Sequence, residues 1–498
     1  MINRSADDQA AIIDIGSNSV RLIVYRLHGS SALPYINEKV MAGLGRGLSE
    51  TGVMSNEAID EALDALVRYQ AILKALGVTR VDAVATAAVR RANNRLDFTA
   101  RAEAIIGQDL RILSGEDEGR LAALGVAAGL HEPKGLVGDL GGSSLELVPT
   151  PEHSAGRPGE THFLGPFALD DGEPFDERRI RMLIRQRLET SERVKDGYER
   201  FYAVGGAWRA LAKLDMEMRG YPLRILHAYQ MNAGDVRKCV RTALASVNDT
   251  SVRSTVERLS RRRVKTLPYA ALVLDELMAA TGAKNVVVSS NGLREGVLWE
   301  PRGADHSDPL RDGAIALFDL NETQVSFGEQ LHRFVRAVLA PEPDLFGSLS
   351  ADERIETAAC LLADSGWRFH PDHRADLVFE QVLLAPLLST DHAERLFLAT
   401  AVASRHQRKF ERPKRYAGLL SPAQVERAGR LGALMRLGCE FSGRSAANLA
   451  SASLQRTPDT LVLRVPAIQA TMVSSMVVRR LGQAAATFDL QPDVTIED

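Results

Sequence analysis

The sequence predicts an α/β protein built from two lobes and followed by a mostly helical C-terminal module. A motif consisting of an apolar strand, an Asp, a turn of Gly and Ser and a second apolar strand occurs twice, at residues 11–22 and 135–148. Strand-like and helix-like segments alternate up to about residue 302, which is typical of α/β domains. Beyond about residue 310, most segments carry apolar residues at helical spacing.

The length and composition agree with this division. A chain of 498 residues is long enough for about three domains, and we expect them at residues 1–134, 135–305 and 306–498. Apolar residues make up 45% and charged residues 25% of the chain, which is typical of a soluble globular protein. The net charge of −3 argues against a protein that binds nucleic acid over its whole surface.

The cysteines and the N-terminus favour a cytoplasmic protein. Cys239, Cys360 and Cys439 lie far apart and in no metal-ligand spacing, so we expect no disulfide framework and a reducing compartment. Residues 1–8 contain no apolar signal core. No apolar run is long enough to span a bilayer, and we expect no contact with a membrane.

The first motif predicts a β-hairpin over residues 12–25, with Asp14 near the end of its first strand. Its turn consists of Gly16, Ser17, Asn18 and Ser19. Glycine allows a positive φ and a close approach of a ligand to the backbone, and converging N–H groups form an anion site. Because Asp is itself an anion, phosphate bound beside it requires a cation between them.

The rest of the first lobe alternates between helices and strands. We predict an amphipathic helix from Ser55 to Leu76 that ends at Gly77. It is followed by a strand at 81–85, a polar loop at 86–95, a strand at 110–113 and a helix from Ser114 to about Leu130.

The start of the last helix carries a candidate catalytic acid. Ser114 is the predicted N-cap and Asp117 completes a capping box. Capping does not require Glu118, which lies one position beyond the box and projects from another side of the first turn. A carboxylate there could polarise a water molecule, although acids are common in the first turn for their effect on the helix dipole alone.

Arginines in the predicted loop at 86–95 are candidate phosphate ligands. This loop follows a buried strand and therefore lies at the carboxyl end of the strand, where α/β proteins bind ligands. A guanidinium group can hold two phosphate oxygens in a fork that lysine cannot copy. The residues alone leave open whether Arg90 or Arg91 has this role, and loop arginines are often only solvent-facing.

The second motif predicts another hairpin and a metal site. Asp139 ends its first strand, and Glu146 follows Ser144 by two residues, so both side chains face the same side. We predict that Asp139 and Glu146 hold Mg²⁺, directly or through water; the alternative for Glu146 is a surface strand residue. The turn consists of Gly141, Gly142, Ser143 and Ser144. Two such hairpins facing each other would hold a phosphate chain and a cation from both sides.

The remaining segments complete the two lobes and the module. In the second lobe we predict strands at 163–169, 201–204 and 286–289 and helices at 178–195 and 207–214, with a linker at 300–305. In the module we predict helices at 331–339, 351–364, 375–388 and 392–403 and strands at 459–465 and 487–490. His370 and His373 are close enough to share a metal, but without a third ligand a loop is favoured.

Together these residues resemble the exopolyphosphatase and guanosine-pentaphosphate phosphatase family, which shares the ribonuclease-H-like lobes of actin, sugar kinases and heat-shock ATPases. Residues 14–19 and 138–146 are similar to its two phosphate loops. Residues 86–94 are similar to its arginine loop, which selects Arg90 as the arginine that holds phosphate and Asn94 as its companion. Residues 114–121 are similar to its Ser-Gly-x-x-Glu-x-x-Leu segment, which makes Glu118 the catalytic carboxylate.

Further likenesses and departures concern the later parts of the chain. Residues 293–296 resemble the family's late Leu-Arg-Glu-Gly motif, for which we have no catalytic role. Ser143 stands where the family often has a third glycine. Trp208 follows the third Gly-rich turn, unlike an open adenosine pocket, which argues against an ATP-using kinase. The C-terminal module resembles a degenerate His-Asp phosphohydrolase domain, with Ala363-Asp364 in place of the His-Asp pair.

The resemblance implies an exopolyphosphatase that releases terminal orthophosphate from inorganic polyphosphate by Mg²⁺-assisted attack of water activated by Glu118. One alternative is the same hydrolysis of guanosine pentaphosphate, a nucleotide of the stringent response. Another is a polyphosphate- or nucleotide-binding regulator without turnover, or a kinase-like protein. We expect a homodimer in which a basic stretch helps to hold a long polyanion, through Arg405, Arg408, Lys409 and Lys414.

Overall fold

The structure is a computed structural model that describes residues 9–151, 158–302, 308–340 and 342–497. These residues form two compact units. The first unit contains the described residues up to His28 and from Ala32 to Arg302, and the second contains residues 29–31 and those from Asp308 onwards. Apart from residues 29–31, the described residues of both predicted lobes lie in the first unit, and those of the predicted module lie in the second. The predicted domain boundaries stay a prediction.

The first half of the first unit is built on a five-stranded sheet with the order β3-β2-β1-β4-β5. β1 pairs with β2 in antiparallel register and with β4 in parallel register. Its strands are β1 Gln9–Ile15, β2 Val20–His28, β3 Ser31–Val40, β4 Val81–Ala85 and β5 Arg111–Ile112. Its helices are α1 Leu48–Thr51, α2 Asn56–Leu76, α3 Ala87–Arg91, α4 Arg95–Ile106 and α5 Gly115–Gly129.

The second half is built on a six-stranded sheet with the order β10-β11-β9-β6-β7-β8. Its strands are β6 Leu136–Leu140, β7 Leu145–Pro149, β8 Glu160–His162, β9 Arg200–Val204, β10 Tyr229–Asn232 and β11 Asn285–Val288. Its helices are α6 Pro166–Leu169, α7 Glu177–Leu188, α8 Gly206–Met218, α9 Ala233–Ala245, α10 Thr250–Ser260, α11 Leu267–Thr281 and α12 Leu293–Trp299.

The second unit consists mostly of helices, with a three-stranded sheet of order β12-β13-β14 near its end. Its helices are α13 Pro309–Phe318, α14 Glu322–Leu339, α15 Leu349–Leu361, α16 Arg374–Leu384, α17 His392–His406, α18 Pro422–Ser442, α19 Ala446–Ala450 and α20 Ser475–Ala485. Its strands are β12 Ser453–Arg456, β13 Thr460–Pro466 and β14 Gln491–Glu497. No helix among the described residues has the length and apolar character needed to cross a membrane.

Local sequence signals placed several elements correctly. Both predicted hairpins form, β1–β2 and β6–β7. Helix α2 begins after Ser55, whose side chain accepts from the Ala58 N–H, and ends at Gly77, which has φ of 67°. The buried face of α2 packs on the sheet, because apolar residues of both elements belong to one core cluster.

Three predicted segments are wrong. The predicted loop at 86–95 contains α3 and the start of α4, because Ala88 and Val89 are buried in the core and hold a helical turn. The predicted strand at 163–169 ends in α6, since Pro166 has no N–H to donate to a sheet. The predicted strand at 487–490 begins only at residue 491, after Asp489 with a left-handed φ of 57°.

Outside the two sheets, a close crossing of two helices holds the first unit together. Helix α12 packs against α5 at two glycines. A Cβ atom at Gly296 would lie 1.8 Å from the carbonyl oxygen of Leu121, and one at Gly125 would lie 2.0 Å from that of Gly292. The backbones therefore approach to a distance that only glycine permits. This crossing fixes the position of the helix that carries Glu118.

The predicted linker at 300–305 lies partly outside the described residues, which stop at Arg302 and resume at Asp308. Within the described part, residues Glu300–Arg302 form a short 3-10 turn. The Glu300 carboxylate pairs with Arg111 and Arg120, so the start of this segment is anchored to the first unit.

Candidate active site

The turn between β1 and β2, which we call the first cup, is held by hydrogen bonds of its own backbone. The Gly16 N–H donates to the Ser19 carbonyl over 3.0 Å. The carbonyl groups of Ser17 and Asn18 accept from Gly45 N–H (2.7 Å) and Gly43 N–H (3.3 Å), respectively. The segment at 43–45 therefore braces the cup from behind.

The turn between β6 and β7, the second cup, repeats this arrangement. The Gly141 N–H donates to the Ser144 carbonyl over 2.9 Å. The carbonyl of Gly142 accepts from Phe167 N–H (2.8 Å) and that of Ser143 from Gly165 N–H (3.1 Å). In each cup, the N–H of the first residue therefore donates to the carbonyl of the fourth residue. The carbonyls of the second and third residues accept from two backbone N–H groups that lie two positions apart in the sequence. The repeat seen in the sequence extends to the hydrogen bonds.

The N–H groups of the cups remain available to a ligand. Among the described residues, no acceptor takes the N–H of Ser17, Asn18, Gly142 or Ser143. Neither Gly16, Gly141 nor Gly142 has a positive φ, so the expectation of left-handed turns is wrong. A Cβ at Gly142 would lie 3.0 Å from the ring of Phe167, a tight contact, whereas at Gly16 and Gly141 the nearest atoms would lie at 3.4 Å, an ordinary contact distance.

Both cups line one cavity of about 220 Å³. Asp14 and Asp139, each the penultimate residue of the first strand of its hairpin, face the same cavity, and so does Glu118. Three arginines that the sequence analysis did not select also line it: Arg209, Arg263 and Arg294. The cavity therefore combines backbone donors, carboxylates and guanidinium groups, which is the mixture that a phosphate–cation complex requires.

Glu118 lies in the first turn of α5, and the structure contains the predicted capping box of Ser114 and Asp117. The Glu118 carboxylate accepts from the Arg90 guanidinium. Burial raises the pKa of Glu118 to about 7, with Arg90 acting to lower it and the carboxylates of Asp139 and Asp14 acting to raise it. A carboxylate with a pKa near neutrality is suited to accept a proton.

The predicted arginine loop supports Glu118. Arg90 donates to the Leu113 carbonyl as well as to Glu118, and its side chain is not among those that line the cavity. The Asn94 side chain exchanges hydrogen bonds with Met54, donating to its carbonyl over 2.9 Å and accepting from its N–H over 3.0 Å. Asn94 thus ties the segment that carries Arg90 to Met54. Arg91 stacks over Phe163 at 5.6 Å.

Asp139 and Glu146 lie directly opposite each other on β6 and β7. Glu146 is 3% exposed, and its Oε1 has no hydrogen-bond partner among the described residues. Burial raises the pKa of Asp139 to about 6, and burial beside Glu118 and Asp139 raises that of Glu146 well above its ordinary value. In the first hairpin, the residue opposite Asp14 is Arg21. Of the two hairpins, the second therefore places two carboxylates opposite each other, with Arg209 and Arg294 acting to lower the pKa of Asp139.

This pair fits a divalent cation. Carboxylate oxygens are preferred ligands of Mg²⁺, which usually takes one or two of them and fills its remaining positions with water and substrate phosphate oxygens. In the described parts of the chain, no group of three or more His, Cys, Asp or Glu side chains is arranged to hold a metal. The orphaned Oε1 of Glu146 is the atom that a cation would satisfy.

The arginines that sequence reasoning missed come from the second half of the unit. Arg294, in the late motif, lies 3.5 Å from the Asp14 carboxylate. Arg209 donates to the Ser290 carbonyl over 3.3 Å, and burial lowers its pKa to about 10. The motif at 293–296 could therefore have identified Arg294 as a site residue from the sequence. Arg263, in the turn before α11, belongs to a run of three arginines at 261–263, a basic cluster of the kind that suits a polyanionic ligand. No local pattern distinguishes Arg209, which lies in α8.

Trp208 does not line the cavity. It is 1% exposed, its indole N–H donates to the Ala270 carbonyl over 2.9 Å, and its ring packs edge-on against Phe201. The argument from Trp208 against a kinase is therefore wrong. Arg263 occupies the space above the Gly-rich turn instead, since a Cβ at Gly206 would lie 2.6 Å from its guanidinium.

Comparison with known proteins decides the family. The profile of the Ppx/GppA phosphatase family matches residues 23–302, which is more than half of the chain. This chain belongs to the Ppx/GppA phosphatase family. A second profile, described as the C-terminal part of exopolyphosphatase, matches residues 346–489.

Individual Ppx/GppA relatives match the first part of the chain. A guanosine-5'-triphosphate,3'-diphosphate pyrophosphatase of Aeromonas hydrophila subsp. hydrophila is 26% identical over 314 residues, which is 61% of each protein. The match thus spans less than two thirds of that relative. A family member of Aquifex aeolicus is 27% identical over 60% of this chain and 99% of its own, with a TM-score of 0.52. The exopolyphosphatase of Cytophaga hutchinsonii is 22% identical, and the match covers 59% of this chain and 97% of that protein. Its TM-score is 0.52, and it shares the fold.

The comparisons confirm the predicted fold class, a two-lobed actin-like α/β part followed by a largely helical one. The likeness of the helical part to His-Asp phosphohydrolases stays a prediction. Asp364, at the position of the expected metal pair, is bonded to Arg405 and Arg444.

The predicted basic stretch of the second unit is only partly at the surface. Arg405 is 8% exposed and pairs with Asp364 over 3.3 Å. Its proposed contact with a polyanion is therefore wrong, because this guanidinium is part of the interior of the unit. Arg408, Lys409 and Lys414 are exposed, and their contact with a polyanion stays a prediction. His370 and His373 flank a short 3-10 turn at Pro371–His373, with ring centroids 6.0 Å apart.

Proposed function

We propose that this Ppx/GppA phosphatase is an exopolyphosphatase, which removes orthophosphate from the end of inorganic polyphosphate. The observation that carries the proposal is the pair of cups, braced by the same hydrogen bonds, that line one cavity with Glu118. The match of the second unit to the C-terminal part of exopolyphosphatase supports the choice of substrate.

The cups and the arginines bind the terminal phosphate. The unpaired N–H groups of Ser17, Asn18, Gly142 and Ser143 donate to its oxygens. Arg209, Arg263 and Arg294 balance the charge of the entering polyanion. Phosphoryl transfer depends largely on such positioning and electrostatic stabilisation, because the protein has little covalent chemistry to perform.

Glu118 accepts the proton of the attacking water. The water oxygen forms a bond to the terminal phosphorus, and the bridging P–O bond on the opposite side breaks. The bridging oxygen leaves with the shortened chain, and the water proton goes to the Glu118 carboxylate. Asp139 and Glu146 would hold Mg²⁺, which supplies neutralisation of the negative charge on the phosphate oxygens when it is bound.

The direct test of this function is phosphate release from defined substrates. We expect release of orthophosphate from long-chain polyphosphate in the presence of Mg²⁺ and none after chelation of the metal. ATP serves as the comparison substrate, because it also ends in a phosphoanhydride. Absence of release from polyphosphate, or release from ATP alone, would exclude an exopolyphosphatase.

Arg90 positions Glu118 and keeps it ionised in this mechanism. Without the guanidinium, the pKa of Glu118 rises further, because Arg90 is the group that lowers it. A base acts only when deprotonated, so the acidic limb of the kcat/KM profile of Arg90→Met should move to higher pH, by about 1–3 pH units.

The matched control is Arg91→Met, which removes the neighbouring guanidinium. Arg91 lies over Phe163 and makes no hydrogen bond or ion pair with Glu118, so its pH profile should keep the position of the wild type. Equal profiles for the Arg90 and Arg91 variants would show that Arg90 does not act through Glu118.

A second candidate activity is hydrolysis of guanosine pentaphosphate to the tetraphosphate. One relative is a pyrophosphatase for that nucleotide, and one feature of the cavity favours it. Phe167 lines the cavity beside Gly142 and is 50% exposed. An exposed aromatic ring at the rim of a phosphate site offers a stacking surface for a base, and such stacking contributes about 1–3 kcal/mol.

The variant Phe167→Leu separates the two substrates, since it retains an apolar side chain but loses the ring. If the nucleotide is a substrate, its KM should rise roughly five- to 150-fold, corresponding to the loss of about 1–3 kcal/mol. The KM for polyphosphate should change little. An equal change for both substrates would leave Phe167 without a role in recognising the base.

A further inference from the structure

The motif at 293–296 has a structural consequence at each of its four positions, and two of them concern the candidate active site. Leu293 packs against a core cluster of the first unit, and Gly296 allows the close crossing with α5. Arg294 lines the cavity that holds both cups. Glu295 is not among the lining residues, but it follows Arg294 directly, and both of its carboxylate oxygens accept hydrogen bonds.

Glu295 ties the start of α12 to β2. One carboxylate oxygen accepts from the Tyr25 hydroxyl over 2.7 Å, and the other accepts from the Gly292 N–H over 2.9 Å. Tyr25 is buried, and it belongs to the same core cluster as Val297 and the two residues after it. Because packing fixes Tyr25 and Gly292 directly precedes α12, the hydrogen bonds of Glu295 fix the first turn of this helix on the sheet.

Arg294 lies in that first turn, and the protein satisfies its guanidinium only in part. Its Nη1 lies 3.5 Å from the Asp14 carboxylate, at the limit of a hydrogen bond. Its Nε is buried and has no hydrogen-bond partner within the described chain. A buried donor without an acceptor is unfavourable, and guanidinium groups match phosphate oxygens in geometry as well as in charge. The Nε–H is therefore the donor that a phosphate oxygen in the cavity would satisfy.

Glu295 is also a counter-charge for Arg294. Burial alone would lower the pKa of this guanidinium, but the carboxylates of Glu295 and then Asp14 act to raise it, and it lies above its ordinary value. Burial and then Arg294 lower the pKa values of two neighbouring arginines, Arg21 and Arg209. The Glu295 charge therefore offsets the repulsion between Arg294 and these arginines.

We propose that Glu295 is a positioning residue of the active site: held by Tyr25, it directs Arg294 so that the free Nε–H donates to an oxygen of the terminal phosphate. This inference rests on the phosphate site of the proposed function. It gives the motif at 293–296 a role in binding the substrate, in which Arg294 makes the contact and Glu295 and Tyr25 set its direction.

The test is a double-mutant cycle on the binding of methylenediphosphonate to the full chain in the presence of Mg²⁺, measured by calorimetric titration. The P–C–P linkage of this probe cannot be hydrolysed, so binding is measured without turnover. Arg294→Met removes the proposed contact, and Tyr25→Phe removes only the hydroxyl that holds Glu295. The double variant Tyr25→Phe/Arg294→Met shows whether the hydroxyl acts through Arg294.

We expect the Kd of the probe to rise roughly 10- to 150-fold in Arg294→Met, the size of a hydrogen bond to a charged group. Tyr25→Phe should raise it roughly three- to tenfold, because Arg294 is still present but less well directed. When Arg294 is already replaced by Met, loss of the Tyr25 hydroxyl should change the Kd no further. Glu295→Gln, which keeps an acceptor oxygen but loses the charge, should likewise act only when Arg294 is present.

The matched control is Tyr229→Phe, which also removes a buried tyrosine hydroxyl that donates to a carboxylate, that of Asp215 over 2.6 Å. Tyr229 does not line the cavity, so the Kd of this variant should equal that of the wild type. Thermal unfolding of all variants checks that the first unit stays folded.

An unchanged Kd in both Tyr25→Phe and Glu295→Gln would overturn the proposal. Equal effects of these substitutions with and without Arg294 would also overturn it, because a merely structural role predicts such additivity. Absence of probe binding to the wild type would refute the phosphate site itself, and this proposal with it. Failure of the proposed phosphate release would leave the binding cycle unaffected, because the probe is not hydrolysed.

Discussion

Glu118→Gln should lower kcat for phosphate release by about 10²–10⁴-fold, the usual consequence of losing a general base. Glutamine retains the size and one acceptor oxygen of glutamate, so it can still accept a hydrogen bond from Arg90. It cannot take the proton of the attacking water. Binding of polyphosphate should therefore survive, because the cups and the arginines that line the cavity, which we propose bind the phosphate, are untouched.

The measurement is steady-state phosphate release together with a separate titration of polyphosphate binding. Glu116→Gln is the matched control, because it makes the same chemical change at a position in the same helical turn that does not line the cavity. Its kcat should equal that of the wild type. If Glu118→Gln retained more than a tenth of wild-type kcat, Glu118 would not be the base.

Gly296→Ala should destabilise the first unit severely. The added Cβ would lie 1.8 Å from the carbonyl oxygen of Leu121 and 2.6 Å from its carbonyl carbon. Both atoms belong to the backbone of α5, so no side-chain rotation can relieve the clash and the two helices must separate. Overpacking of this kind typically costs about 1–3 kcal/mol and sometimes more. We expect about 3 kcal/mol or more here, because the backbone itself must move.

Urea unfolding of the full chain measures this effect through the midpoint of the transition in which the first unit unfolds. Gly429→Ala provides the comparison, since Gly429 lies in α18 and a Cβ atom added to it would have no neighbouring atom within 4 Å. That substitution should stabilise its helix by about 0.5–1 kcal/mol through the lower backbone entropy of alanine. A Gly296→Ala protein as stable as the wild type would mean that the helices can separate at little cost.

The sequence predicted the parts of the site that local interactions determine. The hairpins form because an apolar strand, an Asp and a short turn of Gly and Ser are adjacent in the chain. The first turn of α5 forms because Ser114 and Asp117 cap it within four residues. For the same reason, the positions of Asp14, Glu118 and Asp139 at the ends of their elements could be predicted.

The parts that depend on distant segments could not be predicted. Arg294 reaches Asp14 across 280 positions of sequence, and nothing near either residue encodes that approach. The backbone N–H groups that brace the cups belong to residues 43–45 and 165–167. The residue types at these positions do not indicate this role. Arg405 illustrates the opposite error: a cluster of basic residues resembles a solvated surface, although its first member is buried against Asp364.

Hydrolysis in water enriched in ¹⁸O tests where the bond is made. Polyphosphate is incubated with enzyme and Mg²⁺ until less than one phosphate per chain has been released, and the isotope content of the free orthophosphate is measured. Attack of the water held by Glu118 on the terminal phosphorus places one ¹⁸O atom in each released orthophosphate. Unlabelled orthophosphate, with the isotope in the shortened chain, would mean that the cups do not present the terminal phosphorus to water.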